Sequence, residues 1–469
     1  MFELGLTLPP PGSRAIRRAL YGQLKAAILD GRLAVGSQLP PSRKLADSLG
    51  VSRNTVVSVY DLLISEGYLT SRMGAGAFVA PVAAVFPKSS SPPSAGPGRL
   101  DPEPTIAAGA GKSVADFRLG SPDLTGFPFA IWQRMTSRVI RRFSRGQGGY
   151  RDPAGSRRLR EAIALHVSAT RAVACDPDDI LVTSGAQQAF DLLARVVVAA
   201  GRRVVAVEEP GYPPMRAAFE AAGATLLPVP IDRDGMMVDR LTGAQVVYVT
   251  PSHQFPLGVS LAPERRRALL AYAEAHDAVV IEDDYDGEFR FAGRPLDALQ
   301  TLDRQGRVFY VGTFSKSLFP ELRIGFVVAP SWARETLLRA RQIADWHGPI
   351  MEQESLAEFI AEGHLVRHVR RMRKIYGERR LCLIDALERH CSNWLELVPS
   401  AAGLHLAAEF RRSDDGALVA RRAKEAGVLI ETLERYALTT PHLRGFCFGY
   451  GRIAAEAIDP AIKRIAGLF

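Results

Sequence analysis

The spacing of apolar positions changes twice along this chain. Between Leu20 and Ile28 they recur at helical intervals, and Asp30-Gly31 closes the run. From Ser42, read as an N-cap, a second helical pattern sets Leu45, Ala46 and Leu49 on one face and stops at Gly50. Ser52 caps a third, whose stripe is Val56, Val59, Tyr60 and Leu63. Two short helices joined by a tight glycine-containing turn predict a helix-turn-helix. Glu66 to Val79 then reads as two short strands around Gly74, a wing. Residues 81–115 hold few large apolar side chains and the run Pro-Lys-Ser-Ser-Ser-Pro-Pro-Ser-Ala-Gly-Pro-Gly, which predicts a flexible linker. From 116 to 469 buried-strand runs alternate with helical stretches, among them Ile180–Val182, Val204–Val207, Ala278–Ile281 and Val308–Val311. That alternation predicts an α/β class with a mostly parallel sheet covered by helices. Strands near Gly403–Phe410 and Gly445–Tyr450 predict a smaller C-terminal subdomain, and there is no internal repeat.

Several of these runs end in residues with chemical potential. After Val308–Val311 and Gly312-Thr313 comes Ser315-Lys316, at the carboxyl end of a strand, where open α/β sheets place their ligands. A lysine desolvated there loses its proton and becomes able to form a Schiff base with an aldehyde. After Ala278–Ile281 comes Glu282-Asp-Asp-Tyr-Asp286; crowded acids repel unless a cation sits among them. A protonated pyridine nitrogen is such a cation, with Asp283 as its partner and Tyr285, two residues on, beside the ring's phenolic oxygen. The alternative is an acidic loop that caps a helix. Ser184, Gly185, Ala186 and Gln187 sit where a strand turns into a helix, a place that suits a phosphate; Ser184 reads equally as a plain N-cap. Arg323 offers a fixed charge to the same phosphate. Tyr212 follows the strand Arg203–Val207, either stacked on a ring or packed as an ordinary turn aromatic.

Taken in order, Tyr150–Gly155, Thr183–Gln187, Glu209–Tyr212, Thr250–Gly258, Glu282–Asp286 and Gly312–Lys316 resemble the motifs of fold-type I aminotransferases. The resemblance covers about residues 116–469. It implies pyridoxal 5'-phosphate as cofactor, with Lys316 as its aldimine lysine, Asp283 on the ring nitrogen and Tyr285 near the phenolic oxygen. It also implies Ser184, Gly185, Ala186, Gln187 and Arg323 around the phosphate, Ser315 beside the lysine and Tyr212 over the ring. Tyr150 would reach a partner subunit's site, so a homodimer is implied. Phe255 stands where those enzymes usually carry an asparagine, which leaves His253 or Tyr285 to take over its contact. Cys447 stands about where a substrate-carboxylate arginine belongs, with Arg444 and Arg435 as substitutes.

The front of the chain has its own resemblance. Leu39-Pro-Pro-Ser-Arg-Lys-Leu-Ala, Gly50-Val-Ser-Arg-Asn-Thr-Val and Glu66-Gly-Tyr-Leu resemble the winged helix-turn-helix of the GntR family over about residues 14–80. Arg53, Asn54 and Thr55 fall in the first turn of the second helix of the motif, pointing outward, where a recognition helix meets base edges. Ser42, Arg43, Ser52 and Arg72 complete the expected DNA-binding set. A GntR head (1–80), a linker (81–115) and an aminotransferase-like body (116–469) together resemble the MocR subfamily of bacterial regulators. The expectation is therefore a regulator of double-stranded operator DNA that senses an amine, an amino acid or pyridoxal phosphate itself. The competing expectation is a working aminotransferase with an accessory head.

Composition agrees with both. The net charge of +9 and a pI near 9.5 fit an anionic partner. Residues 1–80 hold nine Lys/Arg against five Asp/Glu, so the head carries only a modest excess. The arginine-rich stretches Arg138–Arg145 and Arg367–Arg380 read as solvated helix faces, the alternative being a track for DNA between two binding heads. No apolar run is long enough to span a bilayer, and the first residues lack the apolar h-region expected of a signal peptide. Cys175, Cys382, Cys391 and Cys447 lack metal or disulfide spacing, so no metal is expected and a reduced cytoplasm is.

Overall fold

A computed structural model describes residues 6–10, 13, 15–72, 76–81, 115–146, 148–293, 296–412, 415–439 and 443–469. The chain divides into two units, residues 1–103 and 104–469. Of the expected linker, residues 82–114 lie outside the described residues, as does Gly74 in the wing. Ala115 belongs to a strand instead of the linker, because it pairs with Val428.

In the first unit α1 (Ile16–Leu29), α2 (Ser42–Leu49) and α3 (Arg53–Ser65) enclose one apolar core. Leu20, Leu24, Leu45, Ala46, Val56, Val59 and Leu63 fill it, as their spacing dictates. Gly50 ends α2 at φ 62°, a left-handed conformation that a side chain resists. Ser52 caps α3, its hydroxyl accepting from the N–H of Thr55 at 3.2 Å. Ser42 does not cap α2. Pro41 holds the cap position with extended dihedrals, so Ser42 is already the first helical residue. Its hydroxyl instead accepts from Arg53 Nε at 3.5 Å. The strands β1 (Leu69–Arg72) and β2 (Gly76–Val79) pair antiparallel as the wing.

The second unit opens with β3 (Ala115–Asp116). Its main sheet contains β4 (Ile180–Thr183), β5 (Val204–Glu209), β6 (Thr225–Asp232), β7 (Gly235–Met236), β8 (Val246–Val249), β9 (Val279–Asp284), β10 (Val308–Thr313) and β11 (Gly325–Val328). Their order is β4-β11-β10-β9-β8-β5-β6-β7. Neighbours pair parallel except at β11 and at β7. The central strands are buried on both faces, which explains their unbroken apolar runs. The C-terminal subdomain carries an antiparallel sheet that includes His405–Phe410 and Gly445–Gly449, packed on the helices His364–Cys391 and Ala455–Ala466.

The arginine-rich stretch on the helix Phe129–Phe143 is ion-paired as well as solvated. Arg142 meets Glu354 and Glu358 at 2.8 Å, and Arg138 meets Glu358 at 3.0 Å. Among the described residues no helix is long and apolar enough to cross a membrane.

Candidate cofactor site and DNA-facing helix

Side chains alternate across a strand, and that rule sorts the acids at the end of β9. Glu282 turns away and accepts the N–H groups of Leu299 and Gln300 at 2.7 and 2.9 Å. Asp284 shares that side and is forked by Arg171 at 2.6 and 3.2 Å. The cation expected among the acids is thus, for Asp284, a protein arginine. Asp283 faces the other way and has none. Its Oδ2 accepts from Tyr248 at 2.7 Å, while Oδ1 is buried with no partner. Burial pushes its carboxyl up to about 7, countered by the Tyr248 bond and assisted by Asp284 and Asp286. Oδ1 is thus open to a donor from outside the chain, and a protonated ring nitrogen would fit it.

Lys316 lies in the turn after β10, its Nζ donating to the carbonyl of Gly120 at 2.7 Å. Burial lowers its pKa; Asp286 and Asp283 oppose the shift and Arg323 adds to it. One electrostatic neighbourhood therefore contains the lysine, the free aspartate and the arginine expected at the phosphate. Ser315 is buried beside it, with its hydroxyl 3.1 Å from that of Thr313.

The turn after β4 leads into the helix Ala186–Ala199. Gly185, not Ser184, takes the cap position, at φ 79°. Arg323 donates to the Ser184 carbonyl at 2.8 Å, and a Cβ on Gly185 would come 2.9–3.1 Å from its guanidinium. The backbone here is open by necessity, with first-turn N–H groups beside a positive charge. Gln187 turns its amide to the Pro214 carbonyl at 2.8 Å, tying the cradle to the loop that carries Tyr212. Tyr212 meets Phe255 edge-on at 5.3 Å, and burial raises its hydroxyl to about 12 with Asp283 as second cause. Gly185→Val should weaken pyridoxal phosphate about tenfold or more, because a positive-φ, extended backbone that only glycine adopts freely, strained by ~1–3 kcal/mol with a side chain, and the clash with Arg323 would displace the cradle; absorbance titration checks it, and unchanged affinity would remove the cradle.

His253 is buried under the same loop. Its Nδ1 lies 3.0 Å from Asp286 Oδ2 and 2.9 Å from the Tyr285 hydroxyl, which also donates to the His253 carbonyl at 3.0 Å. Tyr285 lies beyond β9, not on it, because that strand ends at Asp284. His253, Asp286 and His405 form the one group among the described residues with metal-ligand proximity. His253 Nδ1 and Asp286 Oδ2 engage each other and His405 Nε2 meets the Pro256 carbonyl at 3.0 Å, so the group reads as a hydrogen-bonded network, while His253 Nε2 is buried with no partner. Cys447 is buried in an apolar cluster, whereas Arg444 and Arg435 are exposed, the latter 3.7 Å from Glu431. Tyr150 is 78% exposed and lies tilted against Trp346, ring centres 4.7 Å apart.

Tyr248 and Arg171 did not stand out in the sequence, and Asp286 entered only as the last residue of the acidic motif. Tyr248 sits inside an apolar run, and Arg171 reads as the polar end of a helix.

In the first unit, Ser52, Arg53, Asn54, Arg43 and Arg72 are exposed, and Arg72 lies over Phe78 at 4.7 Å. Thr55 is half-buried, contrary to the outward placement expected, because its hydroxyl turns to Ser52 at 2.9 Å.

Two family descriptions match the chain: bacterial regulatory proteins of the gntR family over residues 16–79, and aminotransferase class I and II over residues 118–465. The probable rhizopine catabolism regulatory protein MocR of Rhizobium meliloti is 39% identical over 462 residues, 97% of this chain and 94% of that relative. The pyridoxine biosynthesis transcriptional regulator PdxR of Corynebacterium glutamicum is 33% identical over 450 residues, 96% of this chain and 95% of that relative. Among solved structures, kynurenine aminotransferase of Pyrococcus horikoshii, in complex with PMP, superposes with a TM-score of 0.70 at 27% identity, over 76% of this chain and 91% of that one.

Proposed function

The chain belongs to the gntR-family regulators that carry an aminotransferase class I and II domain, and from that premise we propose that it binds double-stranded operator DNA and senses a small amine, an amino acid or pyridoxal phosphate itself at Lys316. The observation that carries the cofactor reading is the buried, unpartnered Oδ1 of Asp283 in the electrostatic neighbourhood of Lys316. Pyridoxal phosphate, when bound, supplies an electrophilic aldehyde conjugated to an electron-withdrawing ring.

The chain's own residues do the rest. Gly120 orients the Lys316 amine, and burial favours its neutral, nucleophilic form. Asp283 holds a proton on the ring nitrogen. Arg323 and the first-turn amides of Gly185, Ala186 and Gln187, with Ser184, hold the phosphate. Tyr212 covers the ring, and His253 with Tyr285 stands by its phenolic oxygen. In the head, Arg53 and Asn54 meet the bases while Ser42, Arg43, Ser52 and Arg72 meet the backbone. A homodimer, with Tyr150 and Trp346 offered to a second copy, would present two heads to paired half-sites. Operator DNA as partner implies work in the cytoplasm. Sensing is favoured over turnover because Cys447 is buried among apolar residues and its nearest substitutes, Arg444 and Arg435, lie at the surface.

Borohydride fixes an aldehyde cofactor to the amine that holds it. Treatment of the loaded protein followed by peptide mapping should label Lys316; label on another lysine, or none, overturns the cofactor reading.

A further inference from the structure

Behind Asp283, on the opposite side of β9, lies a polar knot that the proposed function leaves unused. Arg171 closes the helix Arg157–Arg171 and is 6% exposed. Its Nε and Nη2 fork the Asp284 carboxylate at 2.6 and 3.2 Å. Its Nη1 donates to the Leu296 carbonyl at 2.6 Å, and Nη2 also donates to the Ser252 hydroxyl. Tyr310 on β10 donates to Asp284 Oδ2 at 2.6 Å, and the Arg171 carbonyl accepts from Ala298 N–H at 3.0 Å.

One side chain therefore ties four segments: a helix end, the end of β9, the loop 250–258 and the stretch 296–298. Two of its partners are direct neighbours of site residues, Asp284 next to Asp283 and Ser252 next to His253. Stability alone is a weak reason for such a knot, since a buried ion pair is often replaceable by well-packed apolar residues. What a forked, charge-assisted arrangement adds is fixed geometry. We propose that Arg171 is a positioning residue of the cofactor site, its clamp on Asp284 and Ser252 fixing the Asp283 carboxylate and the His253 ring relative to each other. The proposal rests on the cofactor reading above.

The test uses the full chain, pyridoxal phosphate and two readouts: affinity by absorbance titration, and the induced circular dichroism per bound cofactor, which reports its orientation. Arg171→Met should weaken binding about tenfold or more and cut the induced signal roughly by half, through loss of charged hydrogen bonds. Arg171→Lys, which keeps the charge and loses the fork, should fall between. Ser252→Ala and Tyr310→Phe each remove one bond and should weaken binding about threefold; they carry the test if Arg171→Met does not fold. An unchanged induced signal per bound cofactor in Arg171→Met, or in both single-bond variants should it not fold, overturns the proposal even where the melting temperature drops. A wild-type protein that gives no cofactor band overturns the cofactor reading and the clamp together. A normal wild-type band with unaffected variants overturns the clamp alone.

Discussion

Lys316→Ala should abolish stable retention of pyridoxal phosphate: the visible band of the loaded protein disappears on gel filtration, and affinity falls by about two orders of magnitude or more, as loss of a covalent anchor with its proximity advantage implies. The fold should survive. Lys316 is half-buried as a residue, and its desolvated amine donates to the Gly120 carbonyl, so truncation removes that amine and leaves the core residues Val311, Phe314 and Leu318 in place. The melting temperature without cofactor should therefore stay near the wild-type value or rise slightly, while the stabilisation that cofactor gives the wild type is lost. A variant that keeps its band through gel filtration would mean that another lysine holds the cofactor.

Arg53→Ala should weaken operator DNA about ten- to a hundredfold, the range for one good base contact of ~1–3 kcal/mol. Arg53 is exposed in the first turn of α3 and makes a long hydrogen bond to Ser42 at 3.5 Å, so its truncation leaves the core of the head untouched. Arg43→Ala provides the contrast. A backbone contact carries no sequence information, so specific and non-specific DNA should weaken alike, and the slope of log K against log salt should fall by about 0.9. Gel-shift titration at several salt concentrations separates the two. Unchanged affinity and slope in Arg53→Ala would move the recognition surface elsewhere on the head.

Both units were legible in the sequence where local pattern decides structure. The helix-turn-helix follows from stripes such as Val56, Val59, Tyr60 and Leu63, and from Gly50 and Ser52 at the breaks. Lys316 and Asp283 were legible because an apolar run that ends abruptly in polar residues marks a strand's carboxyl end in an α/β sheet. What escaped was held by distant partners. Arg171 and Asp284 are 113 residues apart, and Tyr248 and Asp283 are 35 apart; neither pairing has a local signature. The acidic cluster was read as three like charges in need of one cation, whereas strand alternation separates them and gives Asp284 its own arginine. At Ser42 the preference of serine for caps lost to Pro41, which takes the cap position with extended dihedrals and leaves Ser42 as the first helical residue. Thr55 is half-buried because its hydroxyl finds the Ser52 cap as a nearer partner than solvent offers.

Regulation through Lys316 requires that the ligand bind two states of the protein with different affinity, and this sets a measurable coupling. The direct measurement is the affinity of the full-length protein for the intergenic DNA beside its own gene, with and without saturating pyridoxal phosphate, in wild type and in Lys316→Ala. A regulator that senses at this site should change its DNA affinity about fivefold or more on adding the cofactor, the lower end of typical coupling energies, while Lys316→Ala shows no change. Equal affinity with and without cofactor in the wild type, or an equal response in the variant, would contradict the account.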